Sequence, residues 1–103
     1  MPRPRKCRRV ENVPGTTYFK PAGIPMRVLE DVHLTIDEVE ALRLKEIEEL
    51  DQEAGAERMG ISRPTFQRIL ASARKKMADA VLNGKAIRIE GGIFEMKSNI
   101  GMR

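Results

Sequence analysis

Side chains that can recognise bases recur in one short segment, residues 62–71, with the sequence SRPTFQRILA. If this segment is a helix whose Phe66 faces a core, then Arg63, Gln67 and Arg68 point outward. The forked guanidinium of arginine matches two acceptors on guanine, and the glutamine amide matches adenine. These residue types therefore indicate recognition of base edges in a DNA major groove. Gln67 taken alone is explained equally well as a solvated side chain.

The rest of the predicted contact set follows from position along the same helix. Side chains near its outward-facing start are expected to meet bases: Ser62, Arg63, Thr65, Gln67, Arg68 and Ala71. Ala71 has the small apolar side chain that suits a thymine methyl group. Basic side chains further along are better placed for phosphates, which position a protein without reading sequence: Arg74, Lys75 and Lys76.

A tight turn and a shorter helix are predicted directly before this segment. The shorter helix runs from about Gln52 to Met59 with Asp51 as its N-cap, and Gly60 can adopt the positive φ of a sharp turn. Ala56 is small enough to let two helices approach closely at a steep angle. The pattern favours a helix-turn-helix over a merely structural helical hairpin.

The start of the third predicted helix has two alternatives, because Pro64 has no amide hydrogen to donate. In one, Ser62 caps the helix through Thr65. In the other, Arg63 is the cap and Pro64 is the first helical residue. Either way the helix begins within a residue of Arg63.

Two apolar stripes predict the core. The third helix is predicted to run to about Leu82, before the stop signal Asn83-Gly84. Apolar residues recur along it every three or four residues: Phe66, Ile69, Leu70, Ala73, Met77, Ala80 and Val81. The first helix has its own stripe: Val39, Leu42, Leu44, Ile47 and Leu50.

A capping box opens the first predicted helix, with Thr35 as N-cap and Glu38 reaching back from the third helical position. Carboxylates fill the face opposite the apolar stripe: Asp37, Glu38, Glu40, Glu46, Glu48 and Glu49. Paired carboxylates serve acid–base catalysis where their surroundings shift a pKa. We expect these acids to face solvent and to have no catalytic role.

Residues 1–34 precede the helices and are punctuated by proline and glycine, which favours an extended arm. The arm begins with five basic side chains: Arg3, Arg5, Lys6, Arg8 and Arg9. Basic arms can enter the minor groove or follow phosphates, and a solvated tail is the equally supported alternative. Tyr18-Phe19 is expected to pin the arm to the domain by ordinary packing.

Residues 85–103 follow the helical domain of residues 35–84, and their apolar residues alternate with polar ones in place of the helical spacing. Ile87 and Ile89 alternate with polar residues, and Gly91-Gly92 can form a two-residue turn, which predicts a short hairpin or strand. This segment could serve as a wing, pair with the N-terminal arm or mediate dimerisation. The predicted fold class is mainly α: a three-helix helix-turn-helix domain with an extended basic N-terminal arm and a short C-terminal β-hairpin or strand.

Composition argues against other classes of function. The 103 residues contain one histidine, His33, and one cysteine, Cys7, so we expect no zinc site and no disulfide framework. No phosphate-binding glycine-rich loop or supported Ser–His–Asp arrangement occurs, and we expect no enzymatic activity. No apolar run approaches the ~20 residues of a membrane span. A lone cysteine suits a reducing cytoplasm, where we expect the protein.

Charge is segregated along the chain. Residues 35–57 carry nine acids against two bases, whereas residues 58–76 carry six bases and no acid. The second stretch coincides with the predicted helix-turn-helix, which favours an anionic partner such as a nucleic acid.

Most of the chain, residues 3–92, also resembles a known family. The resemblance rests on PRPRKCRRV, FKPAGIP, LTIDEVEALRLKEIEELDQEAGAERMGISRPTFQRIL and SARKKMADAVLNGKAIRIEGG. They are similar to an uncharacterised family of short bacterial and archaeal proteins described as predicted DNA-binding, with a helix-turn-helix resembling the fourth region of sigma factors. The resemblance implies a three-helix DNA-binding fold and a transcriptional role. Some members carry an extra C-terminal domain similar to iron–molybdenum-cofactor-binding proteins; this chain ends before any such domain, and we expect no cofactor.

The sequence thus predicts specific binding of double-stranded DNA and regulation of transcription. One unit of this size makes few base contacts, so we expect a homodimer or a partner such as RNA polymerase to add affinity. Two alternatives remain open. One is an adaptor that docks a basic protein on the acidic first helix. The other is RNA binding through the basic arm, although sparse aromatic residues argue against recognition by stacking.

Overall fold

The computed structural model describes residues 7–96. Within that range the fold is mainly α-helical, with α1 (Ile36–Leu42) continuing as a π-helical turn (Arg43–Ile47), followed by α2 (Gln52–Met59) and α3 (Arg63–Asn83). The same range contains β1 (Arg8–Val10), β2 (Tyr18–Phe19), β3 (Asp31–Leu34), β4 (Ala86–Ile89) and β5 (Phe94–Met96). A short 3-10 helix, Met26–Val28, lies between β2 and β3.

The predicted starts of α1 and α2 are confirmed. At α1, Glu38 N donates to Thr35 Oγ1 at 3.4 Å and Thr35 N donates to Glu38 Oε1 at 2.9 Å, which completes the capping box. At α2, Ala54 N donates to Asp51 Oδ1 at 2.8 Å. Both caps depend on residues three positions apart, so local sequence is enough to specify them.

The structure decides between the two predicted starts of α3. Ser62 is the N-cap, since Thr65 N donates to Ser62 Oγ at 3.2 Å, and Arg63 is the first helical residue. Pro64 therefore occupies the second position, where its missing amide hydrogen costs no helical hydrogen bond. The predicted stop is confirmed, because Gly84 ends the helix in the left-handed region with φ 65°.

A π-helical turn interrupts the predicted apolar stripe of the first helix. Beyond Leu42 the backbone widens, and Glu48 N donates to Arg43 O at 2.9 Å. A π turn holds more residues than an α turn, so the side chains within and after it are rotated away from the α-helical pattern. Leu44 is fully buried, but Ile47 is 76% exposed. The prediction that Ile47 faces the core is wrong.

Three acids predicted to face solvent are buried instead: Asp37 is 6% exposed, Glu38 7% and Glu40 1%. Both β1 and α3 pack against α1 and cover this side of it. The charges are compensated because each carboxylate meets a basic side chain. The pairs are Asp37 with Arg8, Glu38 with Lys76, and Glu40 with Arg43.

The N-terminal segment is part of the fold from Arg8 onward. β1 runs parallel to β5, while β4 lies between antiparallel β2 and parallel β3. Because both edges of β4 are occupied, β5 does not form a hairpin with it and pairs with β1. Of the three roles considered for the C-terminal strands, pairing with the N-terminal segment is observed. Arg3, Arg5 and Lys6 lie outside the described residues.

Two apolar clusters form the core, and α3 contributes to both. The cluster between the helices contains Ala41, Leu44, Ala56, Met59, Phe66 and Leu70. The cluster between α1, α3 and the strands contains Val10, Leu34, Ile36, Ala73 and Ile89. The predicted stripe of α3 is buried as far as Ala80, which is 3% exposed, whereas Val81 is 74% exposed and lies outside the core.

Gly55→Ala is expected to destabilise the protein. A Cβ atom at Gly55 would lie 2.6 Å from Cζ of Phe66, whose ring is fully buried. Overpacking of this kind costs about 1–3 kcal/mol, which offsets or exceeds the gain of ~1 kcal/mol in helix propensity. Chemical denaturation measures the change. Gly15→Ala is the control, because no atom lies within 4 Å of the added methyl group. A free energy of unfolding raised by the full propensity gain would contradict the close packing.

Candidate nucleic-acid interface

The junction between α2 and α3 sets how α3 is presented. Gly60 ends α2 with φ 69°, in the left-handed region, and Ile61 N donates to Ala56 O at 3.0 Å. Phe66, in the first turn of α3, is fully buried against Gly55. The turn fixes the direction in which α3 leaves, and the aromatic contact fixes its rotation about its own axis.

The side of α3 opposite Phe66 and Leu70 faces solvent. Of the six predicted base-facing residues, Thr65 is half-buried. The other five are exposed there: Ser62, Arg63, Gln67, Arg68 and Ala71. The structure therefore brings all six predicted residues to the N-terminal half of α3. This surface is built on a helix with a fixed core face, so its side chains are positioned by the scaffold.

Thr65 links two of its neighbours on this surface. Its Oγ1 accepts a hydrogen bond from Ser62 Oγ at 2.9 Å and another from Arg68 Nη2 at 3.2 Å. This hydrogen bond holds the Arg68 guanidinium against the first turn of the helix. Holding a long side chain in place reduces the entropy that it loses on binding. The sequence predicted Thr65 as a base contact; in the structure its oxygen accepts a hydrogen bond from Arg68.

The three cations predicted to meet phosphates are not brought together. Lys75 is exposed. Arg74 Nε donates to Glu46 Oε2 at 2.9 Å on the π-helical turn. Lys76 Nζ donates to Glu38 Oε1 at 2.9 Å and to the backbone oxygen of His33 in β3 at 2.8 Å. Lys76 points away from the exposed face because the buried Glu38 carboxylate requires a counter-charge.

The turn between α2 and α3 is flanked by β1. Arg9 Nη2 donates to Glu57 O at 3.2 Å, at the end of α2. A Cβ atom at Gly60 would lie 2.9 Å from Arg9 Nε, so the arginine side chain crosses the turn where only glycine leaves room. The surface here is an open groove of about 610 Å³, lined by Arg8, Arg9, Glu57, Gly60, Ile61, Ser62 and Thr65. The sequence predicted Arg9 as part of a basic arm that can enter the minor groove or follow phosphates, but did not place it beside this turn.

An ion cluster around Glu11 anchors β1 beside α2. Glu11 accepts from Arg58 Nη2 at 2.6 Å and Nε at 2.8 Å, and from Arg43 Nη2 at 2.9 Å. Glu11 N donates to Glu40 Oε2 at 2.9 Å, and Glu40 also accepts from Arg43. The two guanidinium groups, Arg58 first, lower the pKa of Glu11 from 4.5 to about 2. The partners are 29 to 47 residues apart in sequence, so no local pattern predicted this cluster.

Among residues 7–96, no group of three or more His, Cys, Asp or Glu side chains is arranged to hold a metal ion. No helix in that range is both long enough and apolar enough to cross a membrane.

A family model described as "Protein of unknown function DUF134" matches residues 1–97. The chain belongs to this family. Its curated relatives are named UPF0251 proteins, a name that states no ligand, partner or reaction. No solved structure matches the chain.

Three relatives show how closely the chain matches. The UPF0251 protein of Desulforudis audaxviator is 67% identical, covering 92% of this chain and 62% of the relative. That of Moorella thermoacetica is 64% identical, covering 93% and 64%. That of Dehalococcoides mccartyi strain BAV1 is 60% identical, covering 93% and 82%. The chain thus spans less than two thirds of the length of the first two relatives.

Glu11→Gln is expected to lower stability in a pH-dependent way. Folding depresses the pKa of Glu11, so its ionised form adds stability above pH 4.5, and this is lost as the pH falls toward 2. Because the cluster is partly open to solvent, we expect the variant to lose about 1–2 kcal/mol at neutral pH. The difference from the unsubstituted protein should shrink below pH 4.5. Denaturant titrations between pH 2 and pH 7 measure it, with the exposed Glu95→Gln as control. A difference that is independent of pH would contradict the assignment.

Proposed function

We propose that the protein binds double-stranded DNA through a helix-turn-helix formed by α2, the Gly60 turn and α3, and that it regulates transcription. One observation carries the proposal. Arg63, Gln67 and Arg68 are exposed on the N-terminal half of a helix whose opposite side is buried at Phe66. Side chains of these types on a rigid helix suit the reading of base edges.

The dimensions of α3 support insertion into the major groove. The helix has 21 residues, which corresponds to about 31 Å of length. Recognition helices use the residues of their N-terminal half to contact bases. Here that half carries the exposed polar set, while Ala73 and Ala80 in the second half pack against the rest of the fold. Lys75, exposed beyond the reading positions, suits a backbone phosphate.

The distribution of charge favours DNA over the adaptor alternative. An adaptor that docks a basic protein on the first helix needs exposed acids there. Half of the six acids on that face, Asp37, Glu38 and Glu40, are buried and paired with cations. The other three stay exposed: Glu46, Glu48 and Glu49. Pairing the buried acids inside the protein also removes much of their repulsion toward phosphates. Residues 58–76 carry no acid at all, so the exposed half of α3 presents positive charge to a partner.

Selection of bound fragments from random duplex DNA tests the proposal. A shared motif in the recovered fragments is the expected result. A palindromic motif would indicate a homodimer with two half-sites, and a single half-site would indicate a partner such as RNA polymerase. The proposal fails if the protein retains no duplex at low salt, and its claim to specificity fails if the recovered fragments share no motif.

Arg68→Ala is expected to weaken binding to the selected duplex more than binding to a scrambled one. Loss of a bidentate contact to guanine removes about 1–3 kcal/mol of discrimination between the two. Fluorescence anisotropy titrations of both duplexes measure this difference. Arg27→Ala removes an equal charge from the exposed 3-10 helix and is the matched control. An equal loss on both duplexes would show that Arg68 contacts phosphate and does not read bases.

The same titrations test the link between Thr65 and Arg68. Thr65→Val keeps the shape of the side chain but removes the oxygen that accepts from Arg68 Nη2. It should therefore reduce discrimination in the same direction as Arg68→Ala, by a smaller amount. Thr65→Ser retains the oxygen and should preserve discrimination. Identical behaviour of the valine and serine variants would rule out the orienting role.

A further inference from the structure

We propose that Arg9 binds a phosphodiester of the DNA backbone beside the α2–α3 turn, as a second contact held at a fixed distance from the reading helix. The inference rests on the proposed function and names a partner group for a residue that lies outside the helix-turn-helix. In this proposal β1 is a rigid part of the DNA-binding surface and not a flexible tail.

The backbone at Arg9 is anchored on both sides. The next residue, Val10, is fully buried in the core, and Glu11 is held by Arg43 and Arg58. The preceding residue, Arg8, pairs with Phe94 of β5 in the parallel ladder. Because the backbone is fixed on both sides, no chain segment has to become ordered when Arg9 meets a ligand.

The guanidinium of Arg9 keeps its charge available. It donates to a main-chain carbonyl, Glu57 O, at 3.2 Å, so this bond orients the group without placing a carboxylate against it. Arginine has five N–H donors, and the Glu57 bond uses one of them. Arg9 is exposed, which leaves other donors facing solvent. By comparison, the neighbouring Arg8 is half-buried, with Nε 3.8 Å from Asp37 Oδ2.

The groove beside the turn joins Arg9 to the start of α3. Ser62 and Thr65 line the same surface as Arg9, so a DNA strand that lies along it would meet Arg9 while α3 enters the adjacent major groove. Gly60 permits this arrangement, because a Cβ atom there would lie 2.9 Å from Arg9 Nε. The ligand class is a phosphodiester, since planar guanidinium groups match phosphate oxygens.

Arg9→Gln tests the inference, because glutamine keeps a polar side chain on the strand but carries no charge. Anisotropy titrations over a series of NaCl concentrations give the slope of log K against log salt for each variant. We expect the negative slope to become shallower by about 0.9, and the affinity near 0.1 M salt to decrease on the order of five- to tenfold. The loss should be equal for selected and scrambled duplexes. Arg9→Lys should restore most of the slope, and Arg27→Gln, a charge-matched control on the 3-10 helix, should leave it unchanged.

The outcomes separate this inference from the proposed function. If the unsubstituted protein binds duplex DNA and Arg9→Gln leaves the slope unchanged, the phosphate contact is wrong and the helix-turn-helix proposal stands. If Arg9→Gln weakens only the selected duplex, Arg9 reads bases and the assignment to phosphate is wrong. If the unsubstituted protein binds no duplex at low salt, both proposals fall. Thermal unfolding of each variant shows whether it is folded. If Arg9→Gln is unfolded, the Arg9→Lys variant tests the inference, because it keeps the charge and should keep most of the salt dependence.

Discussion

The contact between Phe66 and Gly55 determines how α3 is rotated, and the proposed DNA-binding surface depends on that rotation. Phe66 is fully buried, and its ring occupies the space that a side chain at position 55 would need. With this ring inward, Gln67 and Arg68 can only point to solvent. A turn of α-helix holds about 3.6 residues, so a slip of one position would rotate each of them by about 100°. The same packing that stabilises the core therefore defines which residues a ligand would meet.

A second constraint brings β1 to the same surface. Glu11, directly after β1, joins this strand to α2 through Arg58 and to the π-helical turn through Arg43, and Val10 is buried alongside. Ion pairs that are partly buried and share several hydrogen bonds fix relative positions better than isolated surface pairs. The result is that one surface combines two parts of the chain about 55 residues apart, a strand near the N-terminus and the start of α3. The acids of α1 are buried and paired with Arg8, Arg43 and Lys76, so they add no exposed negative charge beside the outer face of α3.

Local signals predicted the helices well, because the decisive contacts lie within a few residues. The caps at Thr35 and Asp51 and the glycines that end α2 and α3 are of this kind. Predictions that depended on distant parts of the chain were less complete. The acids of α1 are buried by elements distant in sequence, and distant strands also occupy both edges of β4. The π-helical turn that exposes Ile47 had no recognised signal in the sequence. For the candidate site, the exposed residues of α3 were predicted from helical periodicity, but the position of Arg9 beside Gly60 and the use of Lys76 by Glu38 required the tertiary structure.

The central claim is that duplex DNA binds to the surface formed by the N-terminal half of α3 and β1. Its most direct test is an NMR titration of isotopically labelled protein with duplex DNA at low salt, following every assigned backbone amide. The account predicts that the largest shift changes cluster at Arg9 and at residues 60–71, with little change at β2, at β4 or at the exposed end of α3 near Val81. Changes confined to the strands or to the first helix, or no changes at all in the presence of duplex, would contradict it.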